Sequence, residues 1–233
     1  MSAEATEPAR SAPGDPESRG LRLVAVLLVL TVVSGLIDAV SYLGLGHVFT
    51  ANMTGNVVVL GFAAAGAPGF SVSHTLTSLV SFVAGAVAGG RVAGRLGGGS
   101  RRRWARITLA VEAVLLGASS AVAFAAPDAT VTVYTLIAVT AFAMGLRNAT
   151  VRRLGVPDLT TTVLTMTLTG LAADSRAAGG TGRNSPRRSA AVVAMAVGAL
   201  LGAWLVVHHG LAIPLLVTAV TVAALAVSAS GRE

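Results

Sequence analysis

Apolar stretches of membrane-spanning length, separated by short arginine-rich segments, dominate this sequence. A helix needs about 20 predominantly apolar residues to cross the hydrocarbon core of a bilayer. Six stretches meet that requirement, and they cover residues 21–45, 71–92, 104–126, 129–152, 189–207 and 211–229. Only 12% of the 233 residues are charged, whereas a soluble domain carries about 25%. The pattern therefore predicts an all-α integral membrane protein.

Two further apolar pieces are too short to be ordinary spans. They cover about residues 52–67 and 160–173, and each follows helix-breaking residues, with Gly46 before the first and Pro157 before the second. Segments of this length are more often re-entrant or interfacial than spanning. An extended approach followed by a short helix gives each piece enough reach to enter half of a core of about 30 Å and return. We therefore expect two short re-entrant or broken helices.

The arginines discriminate between span counts, because basic residues near membrane ends favour the cytoplasmic side. All 17 basic residues are arginine. With six spans and two re-entrant pieces, all 17 lie on one side together with both termini. With eight spans, 8 lie inside and 9 outside, and a seven-span arrangement with an external N-terminus places 14 inside and 3 outside. Six spans are therefore preferred to seven or eight, with both termini cytoplasmic in a bacterial inner membrane.

The sequence also carries an internal repeat. A shift of 110 positions aligns GLIDA at 35–39 with GLRNA at 145–149, and Thr50 with Thr160. Each half, about 21–126 and 129–230, would contain three spans, so the halves would have opposite orientations. Such a 3+3 inverted repeat with broken helices is typical of transporters, whose sites lie near the bilayer midplane where the repeats meet.

The rest of the composition excludes several classes of protein. Residues 1–20 are too polar and too rich in Pro and Ser to fold, and they predict a disordered cytoplasmic tail before one transmembrane domain at 21–230. The sequence has no cysteine, and it shows no convincing metal-ligand cluster, phosphate loop or Ser/His/Asp order. We therefore expect no cofactor, no metal and no enzymatic activity. The net charge of +7 does not indicate nucleic-acid binding, since no basic face with interleaved aromatics is present.

Asp38 is the strongest single candidate for a functional residue. An acid inside a span costs about 2.5–3.5 kcal/mol on insertion scales, so a functional role is the default hypothesis. Ser34, Asp38 and Ser41 share one helical face. The alternative is a structural hydrogen bond to a neighbouring helix.

A basic residue occupies the corresponding region of the fourth span. An Asp38–Arg147 pair would offset two desolvation costs, as buried charges require. The interpretation that we prefer from the sequence is that Arg147 extends to the cytoplasmic interface beside Arg152 and Arg153. Glu112 is expected to pair near the interface with an arginine two helical turns away, Arg106.

The starts of the two short helices are the second candidate site. Asn52 and Thr160 can each cap a helix by accepting a backbone N–H. Two such ends facing each other at mid-membrane would present free N–H groups and partial positive charge, which favour an anion or a polar neutral solute. The other residues predicted to line this route are Thr54, Asn56, Asn148, Thr162 and Thr165. The alternative is that the threonines bond to their own preceding turns and only support helix packing.

Two blocks of the sequence resemble the YoaK-like family (DUF1275) of bacterial polytopic inner-membrane proteins. The blocks are GLIDAVSYLGLGHVFTANMTGNVVVLG at 35–61 and MGLRNATVRRLGVPDLTTTVLTMTLTGLA at 144–172. The similarity covers about residues 23–229. It implies a polytopic membrane protein and supplies no substrate or reaction. Where the family pattern has Gln-Asn, this chain has Arg147-Asn148, so no role of that glutamine is transferred.

The sequence as a whole favours a transporter or permease for a small solute or anion. Its expected partners are the lipid bilayer and a small polar or anionic solute, while the oligomeric state stays open. The alternative is a non-transporting scaffold or sensor, in which the polar residues only hold helices together. A membrane-embedded enzyme ranks third.

Overall fold

The computed structural model describes residues 16–96, 101–127, 129–154 and 164–228. In these ranges the chain forms eight α-helices, a short 3-10 turn at Arg176–Ala178, and no strand. The helices are α1 (Pro16–Gly44), α2 (Met53–Ala64), α3 (Val72–Leu96), α4 (Arg101–Ala125), α5 (Thr130–Leu154), α6 (Leu164–Ala173), α7 (Ser185–His209) and α8 (Ala212–Ser228). The all-α class predicted from the sequence is confirmed. Helix α1 begins within the segment predicted as a tail, and residues 1–15 lie outside the described ranges.

Five of these helices are long and apolar enough to cross a membrane, namely α1, α3, α4, α5 and α7. Helix α8 is also apolar, with 17 residues. Helix α2 has 12 residues and α6 has 10. At 1.5 Å per residue they extend about 18 and 15 Å, well short of a core of about 30 Å.

Helices α1 and α7 form one of the two most extensive contacts in the bundle. A Cβ added to Gly198 would lie 2.0 Å from the Val32 carbonyl oxygen, and one added to Gly202 would lie 2.6 Å from that of Leu36. Only glycine permits so close a backbone approach. Because both positions advance together along the two helices, α1 and α7 run in the same direction.

Helices α3 and α5 form the other extensive contact, with the same geometry. A Cβ added to Gly85 would lie 2.0 Å from the Phe142 carbonyl oxygen, and one added to Gly89 would lie 3.0 Å from that of Leu146. These helices therefore also run in the same direction.

Helix α4 packs against α8 with opposite direction. The Ser120 hydroxyl donates to the Ala212 carbonyl at 2.8 Å, and a Cβ on Gly117 would lie 3.9 Å from that of Ala219. Short turns join α4 to α5 and α7 to α8, and each of these pairs is in contact. Helices α1, α4 and α7 therefore run one way, and α3, α5 and α8 run the other.

The centre of the bundle lies among α1, α4, α5 and α8, where one apolar cluster includes Ile37, Leu116, Leu136 and Leu215. The outer surface is also apolar, and Leu200 at 70% exposure is typical of it. Large exposed apolar surface is unusual for a soluble monomer and normal for helices surrounded by lipid.

Candidate functional site: a buried polar cluster at the start of α2

Asp38 binds the backbone at the start of α2. Its side chain is 6% exposed, and Oδ1 accepts the N–H groups of Thr50 (3.2 Å), Ala51 (2.8 Å) and Asn52 (3.3 Å). Three successive N–H groups at a helix start form a site of partial positive charge that suits a carboxylate. An acid on α1 therefore caps a different helix.

The turn after α1 brings these amides back to Asp38. Gly46 and His47 both adopt positive φ, at 83° and 60°. A Cβ on Gly46 would also lie 2.6 Å from the imidazole nitrogen Nδ1 of His74, so glycine is needed there for space as well as conformation. Asp38 precedes the end of α1 by six residues, or about 9 Å of helix. The start of α2 therefore lies deeper in the bundle than the end of α1.

Two asparagines complete the start of α2. Asn52 Oδ1 accepts the Gly55 N–H at 3.4 Å, so the predicted cap at Asn52 is confirmed. Asn56 is fully buried and holds Phe49 from both sides, accepting its N–H at 2.8 Å and donating to its carbonyl at 2.6 Å. The same amide donates to the Ser78 hydroxyl at 3.0 Å. Asn56 thus fastens the turn before α2 to α3.

The N–H groups of the three residues that lead into α2 are not free. The amides of Thr50, Ala51 and Asn52 are already bonded to Asp38, so the protein's own carboxylate occupies the place proposed for an anion. The acid and the helix start are each recognisable in the sequence, but the bond between them is not.

A buried ion pair lies beside this cap. Arg147 on α5 is 1% exposed, and its Nη2 donates to Oε1 of the fully buried Glu112 on α4. Its Nη1 donates at 3.1 Å to both the Leu30 carbonyl and the Ser34 hydroxyl on α1. The preferred interpretation of an interfacial Arg147 is therefore wrong, and so is the expected partner of Glu112, because Arg106 is exposed.

Asp38 and Arg147 interact electrostatically without a hydrogen bond between them among the described contacts. The direct Asp38–Arg147 pair, which was the alternative interpretation of the sequence, is thus replaced by the pair between Arg147 and Glu112. Four buried polar atoms of this cluster have no hydrogen-bond partner in the described part of the chain: Asp38 Oδ2, Thr50 Oγ1, Glu112 Oε2 and Arg147 Nε.

Of the remaining predicted site residues, Thr54, Asn148 and Thr165 are described by the structure. Thr54 and Thr165 are exposed, so they do not join the cluster. Asn148 is half-buried, and its Nδ2 donates to the Met144 carbonyl at 2.8 Å. Thr160 and Thr162 lie outside the described residues.

Sequence reasoning missed the roles of Glu112 and Thr50. Glu112 stands within the third predicted span, so the cost of an intramembrane acid, which singled out Asp38, applies to it equally. Nothing in the sequence indicates that Thr50 is fully buried, because that depends on the tight turn after α1.

Long apolar helices, a lipid-type outer surface and charged groups enclosed between helices define a multi-pass α-helical membrane protein. Residues 26–228 match a family model described as a protein of unknown function, DUF1275, and the chain belongs to that family. It is 35% identical over 149 residues to the UPF0700 transmembrane protein YoaK of Bacillus subtilis (strain 168). That match covers 64% of this chain and 65% of the relative's length. No solved structure matches. The family resemblance read from the sequence is confirmed.

Proposed function

We propose that the protein is a small permease of the bacterial inner membrane. Helices α1, α3, α4, α5, α7 and α8 are its six spans, and α2 and α6 are re-entrant. The observation that carries the proposal is the Asp38 carboxylate, which is buried in a long apolar helix and bonded to the start of a short one. Intramembrane acids at broken helices characterise transport pathways.

Helix directions support the re-entrant topology. Because α1 and α3 run in opposite directions, the chain enters and leaves the α2 region on one side, and the same holds for α5, α6 and α7. The turns that flank α2 also meet, since His47 Nδ1 lies 3.1 Å from the Gly69 carbonyl oxygen. With this topology every arginine except the buried Arg147 lies on one side, which the positive-inside rule assigns to the cytoplasm with both termini.

The glycine contacts support the inverted repeat. On α1 the partners of the α7 glycines are Val32 and Leu36, and on α5 the partners of the α3 glycines are Phe142 and Leu146. Each pair differs by 110 positions, which is the shift that aligns the two halves of the sequence. Contacts of α2 with α3 are matched in the same way by those of α6 with α7.

The charge at the start of α2 suggests the class of solute. A carboxylate there repels a second anion and attracts a cation or the donor groups of a neutral polar molecule. We therefore propose a small neutral polar or cationic solute, in place of the anion included in the expectation from the sequence.

Uptake into proteoliposomes tests the proposal. Wild-type protein should transport at least one small polar solute faster than protein-free vesicles, and Asp38→Asn should lose that flux. Asp174→Asn is the matched control, because that carboxylate is 62% exposed and lies outside the cluster. Absence of flux across neutral, cationic and anionic solutes would contradict the proposal.

A second candidate is a non-transporting membrane protein in which the cluster locks helices together. It is favoured by one observation, that Asp38 joins α1 to the start of α2 while Asn56 joins α2 to Ser78 on α3. The two candidates differ at temperatures where Asp38→Asn is still folded. A permease then loses flux, whereas a locking role affects only the melting temperature.

A further inference from the structure

The polar cluster contains two acids and one base. Arg147 bonds directly to Glu112 and reaches Asp38 only through longer-range electrostatics. It is the only basic side chain among the buried residues of the described chain. With both acids ionised, the cluster holds one negative charge without a partner. An uncompensated charge in a membrane interior is costly, so a group that neutralises it is expected.

Other helices that contact α1 bring no such group to Asp38. Helix α8 has no charged or titratable residue. Gly202 of α7 lies against Leu36 and Ala39, so it marks the level of Asp38 along α7. Measured along the helix from Gly202, the arginines at the start of α7 are about 21 Å away and the histidines at its end about 9 Å away. Further titratable or charged groups stand near the start of α1, near the end of α3, in the first two turns of α4, and near both ends of α5. The others on the surrounding elements are Tyr42 on α1, His47 in the turn, His74 on α3, Glu112 on α4, Arg147 on α5, and Arg187, Arg188, His208 and His209 on α7.

The geometry around the carboxyl group suits a proton better than a metal cation. Three N–H donors and a guanidinium surround Asp38, and all repel a metal ion. Hard cations such as Ca²⁺ and Mg²⁺ also take about six oxygen ligands, and the described residues contain no group of three or more His, Cys, Asp or Glu side chains that could hold a metal ion. A proton needs only one acceptor. Thr50 Oγ1 is buried without a partner, and the N–H of the same residue is already 3.2 Å from the carboxylate.

We infer that Asp38 is a proton-binding site: the carboxyl group protonated at Oδ2 donates a hydrogen bond to Thr50 Oγ1, and this protonation loosens the start of α2. Proton uptake brings the cluster to neutrality. It also turns three charge-assisted hydrogen bonds into weaker bonds to a neutral acid, because ionised acceptors bind N–H groups about twice as strongly. Proton binding at Asp38 does not depend on the proposed permease function. Only the further step, in which the proton acts as a coupling ion for transport, rests on it.

Amide hydrogen exchange of the full-length protein in detergent tests this site without any solute. The peptide that contains residues 50–52 should be protected at high pH and lose protection as the pH falls, after correction for the intrinsic pH dependence of exchange. In Asp38→Asn the protection should be independent of pH. The proton site would be refuted if the protection of the wild-type protein did not depend on pH, or if its pH dependence persisted in Asp38→Asn. A loss of protection that follows added Na⁺ at constant pH would also refute it.

Thr50→Val provides a second variant that keeps the acid. It removes the acceptor of the added proton, so the loss of protection should move to lower pH, by no more than about one pH unit. If Asp38→Asn does not fold, this variant decides alone, and an unmoved transition overturns the site. If the protein transports a solute but the protection of residues 50–52 does not depend on pH, only the proton site is refuted. If that protection depends on pH but no solute is transported, only the permease is refuted.

Discussion

The two halves of the chain carry different residues at matching positions of α1 and α5. Asp38 follows Gly-Leu-Ile in the first half, and Asn148 follows Gly-Leu-Arg in the second. An aspartate can gain or lose a proton, and an asparagine cannot. The first half therefore holds the titratable group, while the second half supplies the cation, Arg147, that stabilises the acids of the first.

The helix contacts of the two halves resemble each other much more than their polar residues do. Glycines of α7 and α3 approach the backbones of α1 and α5 at positions 110 apart. Close packing through small residues is how membrane helices associate without a hydrophobic driving force. The two halves therefore share these packing positions and differ in their charged residues.

Arg147→Met should have the largest effect, because it removes the contribution of the second half to the cluster. It leaves Glu112 buried without its partner, and breaking a buried ion pair in this way costs about 3–5 kcal/mol. Unfolding in detergent should show a strong loss of stability, with much of it recovered in Arg147→Met/Glu112→Gln. Arg152→Met is the control, since that side chain is exposed. Equal losses in the two single variants would refute the importance of the buried pair.

Alanine at the contact glycines should give the next largest effect. Gly85→Ala and Gly198→Ala each place a Cβ 2.0 Å from a carbonyl oxygen of the facing helix, which forces the helices apart. Overpacking of this kind costs about 1–3 kcal/mol. The two losses, measured by thermal unfolding, should be equal within error if the halves pack alike. Gly90→Ala should not destabilise, because nothing lies within 4 Å of its added Cβ.

Much of the fold could be predicted from the sequence, because apolar length and glycine breaks are local properties. The window 71–92 corresponds to α3 (Val72–Leu96), and the short piece at 52–67 contains α2 (Met53–Ala64). The polar cluster could be predicted only in part. Asp38 and Asn52 are separately recognisable by type, whereas the bond between them depends on the turn at Gly46. The partner of Glu112 depends on how three helices pack, which no local pattern encodes.

Asp38→Asn should have a moderate effect on stability. The amide oxygen can still accept the N–H groups at the start of α2, so the variant loses the charge and keeps the shape. The difference between charged and neutral hydrogen bonds predicts a loss of about 1–2 kcal/mol in the free energy of unfolding, measured by denaturation in detergent.

Asn148→Asp tests the comparison in the second half, because it places an acid at the position that matches Asp38. If Asn148→Asp restored the stability of Asp38→Asn in the double variant, the two halves would be interchangeable and the proposed division of roles would be wrong.

Cysteine labelling should have the smallest effect on the protein, and it tests directly whether the two halves have opposite orientations in the membrane. The chain contains no cysteine, so single substitutions can be labelled in an otherwise natural sequence. Ala65 follows α2 and Ala177 lies between α6 and α7, and both are exposed. In oppositely oriented halves, Ala65→Cys should react with a membrane-impermeant maleimide from the periplasm of intact cells, and Ala177→Cys only in inverted vesicles. Reaction of both from the same side would require one short helix to cross the membrane, and the inverted repeat would have to be abandoned.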